Sequence, residues 1–139
     1  MTFSHLGFTV ISNVLSASEL GLARGLVADL VERHRAGDQA VVAASVSVAA
    51  ITRKHPQRNP GIDSSQVEGE PYIIGDLVSL DSRFAKIFSA EALWVGAGEL
   101  LGCASAEVVF HFSNVTRKPS FKGSAVSWHR DADSTYFAS

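Results

Sequence analysis

Residues 89–115 read SAEALWVGAGELLGCASAEVVFHFSNV, and the spacing of their apolar side chains changes part-way through. In residues 90–101 these side chains recur at the period of an amphipathic helix, which Ser89 can cap and Gly102 can end. Residues 107–115 instead alternate and are rich in valine and phenylalanine, which predicts a strand. This change of period predicts helices followed by strands, in an α+β fold with an antiparallel sheet. The predicted apolar face of the helix consists of Leu93, Trp94, Ala97, Leu100 and Leu101.

Two further helices are predicted upstream of this stretch. Ser16 and Glu19 have the spacing of a capping box, so a helix is expected over residues 17–36, with Gly37 as its stop signal. A shorter helix over residues 82–88, capped by Asp81, directs Phe84, Ile87 and Phe88 towards a core. The apolar face predicted for the longer helix consists of Leu20, Ala23, Val27, Leu30 and Val31, with Leu26 at its edge.

The remaining segments are shorter or irregular. Residues 8–15 are rich in β-branched side chains and predict a strand, as residues 124–131 do near the end of the chain. Residues 40–51 favour a strand through their valines, although their alanines favour a helix. Residues 53–71, rich in proline and glycine, predict a long loop, and residues 116–123 predict a polar turn.

Composition bounds the class of protein. The chain has 139 residues, of which 46% are hydrophobic, and this is enough for one domain with its own core. Its 12 basic and 14 acidic residues give a net charge of -2, which argues against nucleic acid or an anionic membrane as the partner. The apolar run of residues 40–51 is too short to span a bilayer, and no signal peptide is recognised, so a cytoplasmic protein is expected. Cys103, the single cysteine, excludes an intrachain disulfide and is expected to be a buried thiol.

A metal-binding pattern stands near the end of the chain, in Ser127-Trp-His-Arg-Asp131. On a strand, residues two apart point to the same face, so His129 and Asp131 project together. A further histidine would complete the set of two histidines and one carboxylate that holds non-haem Fe(II). The spacing alone is weakly specific, and a hydrogen-bonded pair on a solvated strand is the plainer interpretation.

Three pieces of the sequence, in order, carry a family resemblance. They are GFTVISNVLSASEL at residues 7–20, SRFAKIFSAEALWVGAGELLG at residues 82–102, and KPSFKGSAVSWHRD at residues 118–131. Together they resemble the N-terminal half of the phytanoyl-CoA dioxygenase family of Fe(II)- and 2-oxoglutarate-dependent dioxygenases. The resemblance favours metal ligation by His129 and Asp131 over the surface pair.

The resemblance carries expectations about fold, cofactors and residues. The fold would be a double-stranded β-helix (jelly roll) of about eight strands, with Fe(II) and 2-oxoglutarate as cofactors. His129 would be the first iron ligand and Asp131 the carboxylate ligand, whose presence favours hydroxylation over halogenation. Trp128 would pack behind the metal-binding strand. Asn114 would lie near 2-oxoglutarate, although an asparagine that forms a turn is an equal alternative.

The chain also departs from the family. The second histidine and the arginine that binds the 2-oxoglutarate carboxylate have no counterpart after Asp131. Residues 1–139 are therefore expected to be a single domain, the N-terminal part of an incomplete barrel, and a fragment inactive on its own. Alternatives are half of a split enzyme, or a non-catalytic jelly-roll remnant that binds a small molecule with a degenerate metal site. The substrate class would be a small molecule or an acyl-CoA-like compound, while the substrate itself and the oligomeric state stay open.

For the other polar residues, the sequence predicts a role less specifically. His111, in the predicted strand, is either a packed histidine or, less often, a ligand, and Asp133 is expected in a turn. Residues 51–58, ITRKHPQR, are either a solvated loop or part of an entrance for an anionic substrate. The histidines expected at the surface are His5, His34 and His55.

Overall fold

The computed structural model describes residues 5, 7–120 and 125. Its helices are α1 (Ala17–Arg35), α2 (Gln39–Ala43), α3 (Val48–Lys54), α4 (Leu77–Leu80), α5 (Phe84–Phe88) and α6 (Glu91–Leu101). Its strands are β1 (Ser45–Ser47), β2 (Pro71–Gly75) and β3 (Asn114–Thr116). Short 3₁₀ turns lie at Pro56–Arg58, Ser64–Val67 and Ser105–Glu107. The fold is mixed helix and antiparallel sheet, in agreement with the α+β prediction.

Helix α1 begins and ends where the sequence predicts. The Ser16 hydroxyl accepts a hydrogen bond from the Glu19 amide at 3.2 Å, and the Glu19 carboxylate accepts one from the Ser16 amide at 2.8 Å. This reciprocal pair is a capping box, which satisfies amides that a helix start leaves unpaired. The helix ends before Gly37, whose φ of +79° favours glycine.

The sheet has the order β1-β2-β3, with both neighbouring pairs antiparallel. In β2 and β3, Ile74 is opposite Val115 and Gly75 is opposite Asn114. A Cβ atom at Gly75 would lie 2.9 Å from the Asn114 Cβ, so glycine permits this close approach of the two strands. The central strand β2 was not assigned from the sequence, which placed Pro71 at the end of a loop.

The core has two clusters of buried side chains. The first lies between α1 and the sheet and contains Leu26, Leu30, Val31, Val41, Ile74, Leu77 and Phe84. The second lies around α3 and contains Val48, Ala49, Val67 and Tyr72. Leu26 is buried in the first cluster, whereas Leu20, predicted to face the core, is exposed. In α5 the predicted apolar face is confirmed, because Phe84 and Ile87 are buried and Phe88 packs against the first cluster. The predicted start and cap are wrong: the helix begins at Phe84 after Arg83, and Asp81 instead accepts a hydrogen bond from the Arg83 amide at 2.9 Å.

One carboxylate joins three elements at the edge of the first cluster. Arg35, at the end of α1, donates from Nη2 to Glu70 Oε1 at 2.9 Å. Arg117, just after β3, donates from Nη1 to Glu70 Oε2 at 2.7 Å. Glu70 immediately precedes β2, so this network connects α1, β2 and the segment that follows β3.

The strand predicted over residues 8–15 is wrong. This segment has no regular secondary structure, and Phe8 and Val10 are exposed. Ile11 instead packs against Gly96 of α6, at a point where a Cβ atom would collide with the Ile11 side chain. Among the described residues, no strand pairs with this segment, and Ile11 contacts a helix.

Of the residues 40–51 predicted as a strand, only Ser45–Ser47 (β1) form one. Helices stand on both sides of it because each has its own cap. The Asp38 carboxylate accepts a hydrogen bond from the Ala40 amide at 3.0 Å, and the Ser47 hydroxyl accepts one from the Ala50 amide at 3.0 Å. Capping and the alanines outweigh the strand preference of the valines here.

The predicted order of helices first and strands last is also wrong, since β1 and β2 precede α4, α5 and α6. Regular pairing in residues 107–115 begins only at Asn114, and Val109 is 85% exposed. Ser89 does not cap α6; its hydroxyl donates to the Lys86 carbonyl oxygen at 3.0 Å, at the end of α5.

The apolar face predicted for α6 is not a core face. The helix buries Gly96 and Gly98, while Leu93, Leu100 and Leu101 are exposed. A Cβ atom at Gly98 would lie 2.9 Å from the Cys103 carbonyl oxygen. The helix therefore buries the face that contains its glycines, where the backbone of Cys103 approaches closely. Cys103 itself is half-buried, not fully buried as predicted.

Candidate functional site

The predicted metal ligands His129 and Asp131 lie outside the described residues, as do Trp128 and Asp133. Ala125, four positions before His129, is described. Its amide donates a hydrogen bond to the Arg58 carbonyl oxygen at 3.0 Å. Ala125 is therefore hydrogen-bonded to residues 51–58, which we call the basic segment.

The basic segment consists of the end of α3 and the 3₁₀ turn that follows. Asn59, the residue after the segment, donates a buried hydrogen bond of 3.0 Å from Nδ2 to Oγ1 of Thr52, near the start of the segment. Burial, followed by the charges of Arg58 and Lys54, lowers the pKa of His55, so the imidazole is neutral at pH 7. Among the cationic side chains of the basic segment, that of Arg53 forms an ion pair with the Glu68 carboxylate.

The histidine predictions for this region need correction. His34, expected at the surface, is 8% exposed, and its Nδ1 is buried with no hydrogen-bond partner in the described part of the chain. The last turn of α1 is covered by residues that lie far away in sequence, which periodicity does not reveal. His55 is half-buried, while His5 is exposed as predicted.

His111 does not lie within a strand, because β3 begins three residues later. It is exposed, and its ring meets that of Phe112 edge to face, with 5.3 Å between the ring centroids. The interpretation of His111 as a packed strand histidine is therefore wrong. Its expectation as a metal ligand stays untested.

Asn114 lies at the start of β3 and not in a turn, so the turn-forming alternative is wrong. Asn114 and Thr116 are exposed, whereas Val115 between them packs against the first core cluster. By the alternation of a strand, Asn114 and Thr116 project from the sheet face opposite α1. This face carries the polar side chain that the resemblance places near 2-oxoglutarate.

A polar cluster beside β3 was not found from the sequence. The Ser113 hydroxyl donates to Asp76 Oδ1 at 3.0 Å, and the Ser79 hydroxyl donates to Asp76 Oδ2 at 2.9 Å. The hydrogen bonds from Ser79 and then Ser113 hold the pKa of Asp76 below its usual range. The cluster joins the start of β3 to α4, and its residues share no motif because Asp76 and Ser113 are 37 positions apart.

Within the residues that the structure describes, no group of three or more His, Cys, Asp and Glu side chains is arranged to hold a metal ion. His129 and Asp131 lie outside these residues, so their metal ligation stays a prediction.

Comparisons of the chain with protein-family models, curated proteins and solved structures gave no significant match. None of the helices in the described part of the chain is long and apolar enough to cross a membrane.

Proposed function

We propose that residues 1–139 carry the metal-binding strand of an Fe(II)- and 2-oxoglutarate-dependent dioxygenase, which hydroxylates a C–H bond of a small-molecule or acyl-CoA-like substrate. The observation that carries the proposal is the order of the three family-like pieces, which end in Trp128-His129-Arg130-Asp131. His129 and Asp131 are two of the iron ligands in this proposal.

The donor set suits the metal. A neutral imidazole nitrogen and a carboxylate oxygen are both ligands of non-haem Fe(II), and a set of only three protein ligands leaves positions open for a co-substrate. When bound, Fe(II) and 2-oxoglutarate would use O₂ as the oxidant: one oxygen atom would enter the substrate C–H bond and the other would enter succinate as 2-oxoglutarate loses CO₂. The residues of the chain hold the metal, position the substrate and keep water away from it.

For the fold, we propose the first part of a double-stranded β-helix. Such a fold places one sheet opposite a second, with the cavity between their facing sides. The antiparallel arrangement of β1, β2 and β3 supports the proposal, since one face packs against α1 and the other exposes Asn114 and Thr116. In this proposal Asn114 faces the cavity and contacts 2-oxoglutarate.

The basic segment supports an anionic substrate. Lys54 and Arg58 have no ion pair among the described residues, and Arg58 is bonded through its carbonyl oxygen to Ala125. A cationic segment beside the chain that leads to the metal ligands would attract phosphate-bearing or carboxylate-bearing molecules to the site. An acyl-CoA-like substrate has that charge.

Metal binding is the direct test of the proposal. We expect His129→Ala and Asp131→Ala each to weaken Fe(II) binding by about tenfold or more, because each removes one of few ligands. Isothermal titration under anaerobic conditions measures the affinity. His5→Ala, at an exposed histidine, is the matched control and is expected to bind as the unaltered chain does. Unchanged affinity in His129→Ala would exclude this site.

A further inference from the structure

A groove of about 490 Å³ runs along the outer side of α1. All but one of its lining residues belong to α1, and the remaining one is Arg117, just after β3. We call it the α1 groove; its lining residues are Ala23, Arg24, Val27, Ala28, Val31, Glu32, Arg35 and Arg117.

The two ends of the α1 groove differ in charge. At one end, Arg35 is paired with Glu32 at 2.7 Å and with Glu70 at 2.9 Å, and Arg117 shares Glu70 at 2.7 Å. These two cations are therefore balanced by two carboxylates. At the other end, Arg24 is exposed and has no hydrogen bond or ion pair within the described part of the chain. Among the described residues, the positive charge of Arg24 is therefore not balanced by a carboxylate.

An apolar strip lies between the two ends. It is formed by Val27, Ala28 and Val31, and the arginines at its ends stand about 16 Å apart along the helix, at the rise of an α-helix. A ligand whose anionic group pairs with Arg24 can therefore place the rest of its length over the apolar strip before it reaches Arg35. The groove therefore offers a cation at one end and an apolar surface beside it.

We propose that the α1 groove binds a small organic carboxylate with an apolar body. The carboxylate pairs with the guanidinium of Arg24, whose planar donors match a carboxylate in two-bond geometry. The apolar body covers half-buried Val27 and exposed Ala28, the part of the strip that water reaches, while Val31 is buried in the first core cluster. The residues that line the groove include neither Ala125 nor any residue of the basic segment, so the proposal is independent of the proposed dioxygenase function.

Octanoate is a suitable probe, because it combines one carboxylate with an unbranched apolar chain. In a titration followed by ¹H–¹⁵N NMR, we expect shifts concentrated at the Arg24 side chain and the Ala28 and Val31 amides. An open groove with one uncompensated charge predicts a Kd in the millimolar range. Arg24→Gln is expected to weaken binding at least fivefold, while Arg53→Gln, at an arginine outside the groove, leaves it unchanged.

A second variant tests the site without removing Arg24. Glutamate is a good helix former, so Ala28→Glu should not disturb α1. The new carboxylate lies one helical turn from Arg24, where it can pair with the guanidinium and neutralise its positive charge. We expect it to weaken octanoate binding at least as much as Arg24→Gln does. Octanoate affinity that is unchanged in both variants would overturn the proposal.

Two further probes separate the parts of the ligand. Inorganic phosphate has the charge without the apolar body, and octanol has the apolar body without the charge. Both are expected to bind at least fivefold more weakly than octanoate. Phosphate binding equal to that of octanoate would exclude a role for the apolar strip, and equal octanol binding would exclude a role for Arg24. Either result would overturn the assignment of an amphipathic carboxylate.

Discussion

At the scale of single residues, Glu70 has the widest structural role. Its carboxylate accepts hydrogen bonds from Arg35 and Arg117, and its side chain is only 22% exposed. Burial raises its pKa, but the bonds from Arg117 and Arg35 outweigh burial and leave the pKa lowered from its ordinary value. Ionised Glu70 therefore stabilises the folded chain.

Glu70→Gln tests this contribution. At pH 7 we expect the variant to lose about 1–2 kcal/mol of unfolding free energy, as for a partly buried charge bonded to two cations. Because the folded pKa is lowered, the contribution is present above the unfolded pKa and is lost as the pH falls through the folded pKa. Urea unfolding at pH 7 and pH 3 should therefore show a difference that shrinks at pH 3.

Glu32→Gln is the matched control for this measurement. Glu32 pairs with the same Arg35, but its side chain is 70% exposed, so solvent screens the pair. We expect a change below about 0.5 kcal/mol at pH 7. A Glu70→Gln effect that is as small as this, or that is undiminished at pH 3, would contradict the role given to Glu70.

At the scale of elements, α1 and α6 each have a predicted apolar face that contains leucines, but their leucines lie in different environments. Leu30 of α1 is fully buried between the helix and the sheet. Leu101 of α6 is 69% exposed, and α6 buries glycines instead of its leucines. Because burial sets the hydrophobic contribution of a side chain, α1 anchors the core and the leucine face of α6 does not.

Alanine substitution of the two leucines measures this difference. We expect Leu30→Ala to lower the free energy of unfolding by about 3 kcal/mol, through lost burial and the cavity that it leaves. Leu101→Ala, the control, removes the same atoms from an exposed position and should cost less than about 1 kcal/mol. Denaturant unfolding of the two variants, with its midpoints and slopes, measures the two free energies. Equal losses of unfolding free energy would show that Leu101 of α6 is also packed in a core.

At the scale of the whole molecule, the first cluster covers one face of the sheet, and Asn114 and Thr116 are exposed on the other. Under the proposed function, catalysis needs a second histidine and an arginine in addition to His129 and Asp131. No histidine or arginine follows Asp131 in residues 1–139.

We therefore expect residues 1–139 by themselves, with Fe(II) and ascorbate, to decarboxylate 2-oxoglutarate at a rate close to that of free iron. Two ligands hold Fe(II) weakly, and no arginine from beyond Asp131 binds the co-substrate. Release of CO₂ from labelled 2-oxoglutarate measures the rate, with His129→Ala as the control for iron free in solution. Robust turnover that depends on His129 would contradict the two-ligand account and would point to another ligand within the chain.

The sequence by itself determined the features that depend on neighbouring residues. The capping box of Ser16 and Glu19, the stop at Gly37 and the buried face of α5 all follow from side chains within one or two helical turns. The mixed α+β class with an antiparallel sheet agrees with the prediction, although the change in hydrophobic period placed the strands wrongly: β1 and β2 precede that change. The expectation of a metal at His129 and Asp131 comes from the sequence alone and stays a prediction.

The tertiary structure decided what depends on residues far apart in the chain. β2 became the central strand because β1 and β3 pair with it, and the run of residues 8–15 pairs with no strand in the part of the chain that the structure describes. Glu70 acquires its role from Arg117, 47 positions away. Strand pairing, burial and ion pairing gain free energy only when distant segments meet, so local periodicity predicts the helices better than it predicts the sheet.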